Sequence, residues 1–145
     1  MSRVALTEAL KAVPFLDHLA IVVDDARPGN VGLRLPATPH NLDHDGNLAH
    51  GALFQVAETA AALAVGTHAT LRGMPHSHRV SHVQYRAEAT KDVTARCSVP
   101  RDAADTVADQ LRDHGEATLE LRVEILDGWG RDVCLMTSVF GFSSS

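Results

Sequence analysis

The sequence predicts an α+β fold in which one long helix packs on an antiparallel sheet. Residues 49–66 (AHGALFQVAETAAALAVG) are apolar around nearly the whole helical wheel, which is typical of a helix buried on most sides. Two later segments, DVTARCSV and ATLELRVEIL, alternate apolar and polar residues, as strands with one buried face do. Runs of strands around a single central helix favour a sheet packed on that helix.

The N-terminal half supplies a short helix and a strand pair ahead of the long helix. Leu6 to Val13 has amphipathic spacing, with Thr7 as the predicted cap and Pro14 as the predicted end. HLAIVVDDA and VGLRLPA are predicted strands joined by the turn ARPGN. The polar loop TPHNLDHDGN leads into the long helix, which should end near Gly66, and THATLRGMPHS follows as irregular chain.

The C-terminal half predicts about four strands. VSHVQYRAEA is the first, and RDVCLMTSVFGF, after the turn DGWG, is the last. The two alternating segments lie between them, and their predicted inward residues are Val93, Ala95, Cys97 and Val99 in one and Leu119, Leu121, Val123 and Ile125 in the other. PRDAADTVADQLRDHGE is either a short surface helix or a long loop. Not every flanking strand can remain an unpaired edge, so we expect a homodimer or homotetramer.

Composition narrows the class of protein. The 145 residues are 45% hydrophobic and 21% charged, which suits a single soluble domain spanning residues 1–145. A net charge of -5 disfavours nucleic acid and anionic membranes as partners. We see no secretory signal and no apolar run of the roughly 20 residues that cross a bilayer. A cytoplasmic location with Cys97 and Cys134 as free thiols is the expectation.

One carboxylate interrupts the apolar helix. Burying the charged carboxylate of Glu58 costs free energy unless a polar partner offsets the lost hydration. Glu58 is therefore either exposed to solvent, paired with another group or present for catalysis. His50 and Gly51 open the helix, where backbone N–H groups lack intrahelical acceptors and can face a developing negative charge. Eight helical positions rotate by about 80° past full turns, so His50 and Glu58 do not share a stripe. Either the amide acts from the helix end and the carboxylate from its side, or a partner subunit completes the site.

The stretch DHDGNLAHGALFQVAETAAALA resembles the core motif of hotdog-fold acyl-CoA thioesterases of the phenylacetate-degradation type. That motif has the form N-x-x-G-x-x-H-G-G and precedes an apolar helix with a single Asp or Glu. The resemblance implies a sheet wrapped around the long helix and a catalytic role for Glu58, as nucleophile or as general base on water. It also implies that the N–H groups of His50 and Gly51 polarise the thioester carbonyl, and that Asp43 stands where the family has Asn or Gln.

Further expectations concern the substrate. Asn47, Ser77 and His78 are the predicted substrate-binding residues, since members of the family often place Ser or Thr near the start of the strand after the helix. The substrate is expected to be an acyl-CoA thioester, with coenzyme A as part of the substrate and no separate cofactor. The histidines of HNLDHDGNLAH and HSHRVSH match no firm ligand pattern, so we expect no metal site. The acyl group is left open.

The departures from the motif keep other functions in view. Asp43, Ala49 and His50 replace the family's usual amide, His and Gly. A non-catalytic acyl-CoA or lipid-binding hotdog protein is therefore one alternative. A hydratase or dehydratase of the same fold is another, since such enzymes pair a His with an Asp or Glu, and His50 with Glu58 is the pair that suggests it. The simplest alternative is that Glu58 is a solvated or salt-bridged helix residue.

Overall fold

The computed structural model describes residues 2–144 and arranges them as one antiparallel sheet with a long helix packed against it. The helices are α1 (Arg3–Lys11), α2 (Pro14–His18), α3 (His50–Thr67) and α4 (Arg101–His114). The strands are β1 (Val22–Arg27), β2 (Asn30–Leu35), β3 (His76–Tyr85), β4 (Val93–Ser98), β5 (Glu116–Leu126) and β6 (Asp132–Ser143). The sheet order is β1-β2-β4-β5-β6-β3, and every neighbouring pair is antiparallel. This confirms the predicted α+β hotdog fold.

Helix α3 occupies the concave face of the sheet, where it packs against β2, β4, β5 and β6. Its sheet-facing side is built largely of alanine, and Ala57, Ala60, Ala61 and Ala64 are fully buried. Because these side chains are small, the helix can pack closely against the strands. Few large residues are then needed to fill the space between the helix and the sheet. The predicted inward residues of β4 and β5 are all buried, as the alternating pattern indicated.

Strand β3 lies at an edge of the sheet. It pairs along its whole length with β6, from His76 opposite Phe142 to Tyr85 opposite Cys134. Within residues 2–144 its other edge has no strand partner. Seven of its ten residues are exposed, so this long edge presents unpaired backbone groups to solvent.

Several predicted boundaries differ from the structure, mostly near prolines and caps. Helix α1 begins at Arg3, and the N-cap is Ser2, whose side chain accepts a hydrogen bond from the backbone N–H of Ala5 at 3.1 Å, so the predicted cap at Thr7 was wrong. Pro14 opens α2 instead of ending the helical region, because proline is well suited to the first helical position. As a result β1 begins at Val22, four residues later than predicted.

Two further segments are settled by the structure. Strand β3 starts at His76, inside the segment predicted to be irregular, and ends at Tyr85, so it lies earlier than the predicted VSHVQYRAEA. The stretch between β4 and β5, left open between helix and loop, forms the 14-residue helix α4.

No helix in the described part of the chain is long and apolar enough to cross a membrane. Cys97 and Cys134 are free and buried, as predicted.

Candidate functional site

The start of α3 presents two unpaired backbone N–H groups. The cap residue Ala49 donates its own N–H to the carbonyl of Asn41 at 2.8 Å, and its carbonyl accepts from Ala52 and Leu53 at 3.0 Å each. His50 and Gly51, the first two helical residues, have no acceptor for their N–H groups among residues 2–144. A Cβ placed on Gly51 would meet nothing within 4 Å. Two donors are therefore unpaired at the positive end of the helix.

The ring of His50 lies beside the aromatic ring of Tyr85. The two rings stack with centroids 3.7 Å apart and planes within 4°. The hydroxyl of Tyr85 also donates to the backbone carbonyl of His50 at 3.3 Å. The His50 ring is thus held against the end of β3. These contacts fix the first residue of α3, and with it the direction of its N–H.

Glu58 lies at the wall of a cavity of about 400 Å³ between the two N-terminal helices and α3. Glu58 is half-buried, and within residues 2–144 its carboxylate has no hydrogen-bonding or ionic partner. The other walls are mostly alkyl. They are Ala9, Leu10, Val13 and Leu16 from the α1–α2 region, Gln55, Thr59, Ala62 and Leu63 from α3, and His78 from β3. An unpartnered carboxylate facing an apolar cavity is unusual for a structural residue, because its desolvation is not offset.

Two neighbours of Glu58 on the helix are already engaged. The hydroxyl of Thr59 donates to the carbonyl of Gln55 at 2.7 Å, and the Gln55 amide donates back to that hydroxyl at 3.1 Å. These bonds hold both side chains on the α3 surface and leave the Glu58 carboxylate as the free polar group of the wall. Neither Gln55 nor Thr59 was predicted as a site residue, although Gln55, three positions before Glu58, is its neighbour on a helical surface.

His78 is the predicted substrate-binding residue that shares the cavity with Glu58. Its ring stacks on Phe140 with centroids 4.5 Å apart, and its Nε2 is 2.8 Å from the hydroxyl of Ser81. Ser77 is exposed on β3, and its hydroxyl accepts from the Nε of Arg79 at 3.0 Å. The structure therefore places His78 at the cavity, and the cavity lining does not include Ser77.

The loop before α3 is shaped by Asp43. Its Oδ1 accepts the N–H groups of Asp45 at 2.9 Å and Asn47 at 3.1 Å, while its own N–H donates to the Asn47 carbonyl at 2.7 Å. Gly46 adopts φ +82° in this turn, a conformation that favours glycine. Asp43 and Asn47 thus form a compact loop ahead of the helix, and the Asp43 carboxylate is at least partly committed to it.

Asn41 connects this loop to the rest of the fold and was missed from the sequence. It is fully buried, and its side-chain amide donates to the carbonyls of Leu19 at 2.8 Å and Pro36 at 2.9 Å. Its backbone carbonyl holds Ala49, as described above. The residue is a clamp that positions the start of α3, and a lone Asn in a polar loop gives no sequence signal for that role.

Within one chain the predicted groups do not converge. Eight residues along an α-helix correspond to about 12 Å, so the His50 amide and the Glu58 carboxylate lie at separate points. No described contact or cavity joins His50 to Glu58, which leaves the pair suggested for a hydratase apart in the single chain. No group of three or more potential metal ligands occurs among the described residues.

A second concavity of about 360 Å³ lies on the outer face of the sheet. It is formed by β3, β5 and β6, with Val80, Leu135 and Val139 among its walls. None of the predicted site residues lines it. The cavity at Glu58 is smaller than some others on the surface, but it is the described cavity in which the predicted catalytic carboxylate meets an apolar lining.

Comparison with known proteins places the chain among hotdog folds. The family model described as a domain of unknown function (DUF4442) matches residues 2–139. The protein of unknown function PA5026 from Pseudomonas aeruginosa, described as a probable thioesterase, has 20% identity and a TM-score of 0.82, with 96% of each chain covered. A mutant of the phenylacetic acid degradation protein PaaI from Thermus thermophilus has 25% identity and a TM-score of 0.68, with 90% of this chain and 99% of that chain covered.

A third solved structure points the same way. The thioesterase HI1161 from Haemophilus influenzae has 14% identity and a TM-score of 0.76, with 99% of this chain and 92% of that chain covered. A comparison with curated protein sequences finds no match.

Proposed function

We propose that this chain, which belongs to the DUF4442 family, is a thioesterase that hydrolyses acyl-CoA thioesters. The observation that carries the proposal is the carboxylate of the half-buried Glu58, which has no partner in residues 2–144 and faces an apolar cavity. The names of two structural neighbours, a probable thioesterase and a thioesterase, support the reaction type.

The chemistry needs two groups. A thioester carbonyl gains negative charge on its oxygen when a nucleophile adds, and fixed N–H donors stabilise that charge by roughly 3 kcal/mol each. His50 and Gly51 supply such donors at the start of α3. Glu58 serves as the general base that removes a proton from the attacking water, or as the nucleophile itself. The leaving thiolate departs readily, so the proposal needs no further acid.

A second copy of the chain brings the two groups together. The Tyr85 end of β3 lies against the start of α3, while the His78 end lies beside Glu58. If two β3 edges pair antiparallel about a two-fold axis, the start of each α3 comes to lie beside the other copy's Glu58. We therefore propose a homodimer in which each site combines Glu58 of one chain with the His50 and Gly51 amides of the other.

Thiol release tests the proposal directly. Purified protein is incubated with acetyl-, octanoyl-, phenylacetyl- and palmitoyl-CoA, and free coenzyme A is measured with a thiol reagent. Catalytic release from at least one ester is expected, at a rate proportional to protein concentration. Thermal stabilisation by these esters without any release of thiol would instead favour the non-catalytic binding protein.

A further inference from the structure

The cavity beside Glu58 changes character along α3. Toward the start of the helix its wall carries Gln55, Glu58 and Thr59, whereas one turn further on it carries Ala62 and Leu63. These positions, spaced by three and four residues, form one face of the helix. A ligand lying along that face would meet polar groups at one end and alkyl groups at the other.

The roof of the cavity is also apolar and incompletely covered. Leu10 of α1 is buried and Leu16 of α2 is half-buried against the core, but Val13, in the turn between the two helices, is 45% exposed. Three of the six large hydrophobic residues exposed on the described surface, Val4, Val13 and Phe15, belong to this N-terminal segment. Of these three, Val13 lines the cavity, and its apolar surface is what a bound ligand would cover.

We infer that this cavity is the acyl-binding pocket of the proposed thioesterase, that it takes an apolar acyl group of medium length, and that Ala62 limits that length. The inference rests on the proposed function, since it places the scissile bond at Glu58. The occupant is an acyl chain because the polar end of the cavity is where the carbonyl must sit and the alkyl end leads away from it. The volume of about 400 Å³ is near the lower end of the roughly 300–1,000 Å³ typical of small-molecule pockets, which disfavours long fatty acyl groups.

Ala62 provides the test because it is an exposed helical alanine that lines the cavity. Ala62→Phe narrows the alkyl end without replacing a buried side chain. Ala5→Phe is the matched control, since Ala5 is also an exposed helical alanine but does not line the cavity. Both variants are compared with the wild type by thermal unfolding and by light scattering, so that misfolding or a change of assembly is visible.

Two measurements are made on each protein. The first is the affinity for S-octyl-CoA, a thioether that cannot be hydrolysed, by titration calorimetry. The second is kcat/KM for acetyl-CoA and octanoyl-CoA. Because contacts with even one methylene group change discrimination by about tenfold or more, Ala62→Phe should weaken S-octyl-CoA binding and lower kcat/KM for octanoyl-CoA by at least about tenfold. Its kcat/KM for acetyl-CoA should fall much less than that for octanoyl-CoA, and Ala5→Phe should change neither value.

The outcomes separate this inference from the proposed function. Unchanged preference for octanoyl-CoA in Ala62→Phe, or an equal loss with both esters, would overturn the pocket while leaving hydrolysis in place. If Ala62→Phe lowers the mass or the Tm, the smaller substitution Ala62→Leu is measured in its place, and an unchanged preference for octanoyl-CoA in that variant would overturn the pocket as well. If no ester is hydrolysed but S-octyl-CoA binding still falls only in Ala62→Phe, the hydrolase is refuted and the acyl pocket is supported.

Discussion

Replacing Glu58 by Gln should abolish hydrolysis and leave the fold intact. The substitution keeps the shape of the side chain and removes its charge and its ability to accept a proton. No hydrogen bond or ion pair of Glu58 is lost, because the structure describes none within residues 2–144. The free energy of unfolding should therefore stay nearly the same.

The expected magnitudes for stability and activity differ widely. Substitutions away from special structural features change stability by less than about 0.5 kcal/mol, which for a chain of this size is a Tm shift of about 1–3 °C. A general base contributes about 10²–10⁴-fold to the rate, equivalent to about 2.7–5.4 kcal/mol in activation free energy. The loss should fall on kcat, with KM little changed, if the carboxylate acts on water in the transition state.

The assay is thiol release under saturating and subsaturating acyl-CoA, with circular dichroism melts on the same samples. Glu8→Gln is the matched control, because Glu8 is an exposed helical glutamate that does not line the cavity, and it should retain full activity. Activity of Glu58→Gln within about threefold of the wild type would refute the catalytic role, since general bases contribute far more. A Tm loss of several degrees alongside the inactivity would instead indicate a structural role.

Three other predictions follow from local geometry. His50→Pro removes one N–H donor and should be tolerated, because proline is accepted at the first helical position and the preceding Ala49 has a ψ of 140°, which suits a following proline. Its kcat should fall about 10²–10³-fold. His50→Ala keeps the N–H and should lose much less activity. Asn41→Ala removes two buried hydrogen bonds and should lower the free energy of unfolding in urea melts by about 2–3 kcal/mol; a loss below about 0.5 kcal/mol would contradict the clamp. Burial raises the pKa of the Cys97 thiol to about 12 and that of Cys134 to about 11, so both stay protonated at pH 8 and should react with a thiol reagent only after unfolding; rapid reaction of the native protein would contradict this.

Local patterns in the sequence were sufficient for most of the fold. The alternating residues of β4 and β5 fix which side faces α3, because a shift of one residue would expose every apolar side chain. The segment 100–116 stayed open between helix and loop because polar and charged residues dominate it, and only Ala104 and Val107 are fully buried in α4. Pro14 was misjudged because proline both ends helices and opens them, and the choice depends on how the following residues pack.

The candidate site was only partly predictable. A single carboxylate in an apolar helix singles out Glu58, and the helix start singles out His50 and Gly51, because both signals are local. The cavity is not local: its roof comes from α1 and α2, more than 40 residues away in the chain from Glu58. Sequence spacing cannot show that Leu16 and Ala62 line the same cavity. The role of Asp43 likewise has no local signal, because its side-chain hydrogen bonds to the N–H groups of Asp45 and Asn47 form only in the folded loop.

A mixed dimer decides whether the site is shared between chains. Glu58→Gln and His50→Pro chains, each with a different affinity tag, are co-expressed, and dimers carrying both tags are isolated. If each site combines Glu58 of one chain with the helix start of the other, one site of the mixed dimer carries both substitutions and the other carries none. Such a dimer should show about half the wild-type activity per dimer, although each variant alone is inactive. If both groups of a site came from one chain, every site in the mixed dimer would be defective, so an inactive mixed dimer of normal mass and stability would refute the shared site.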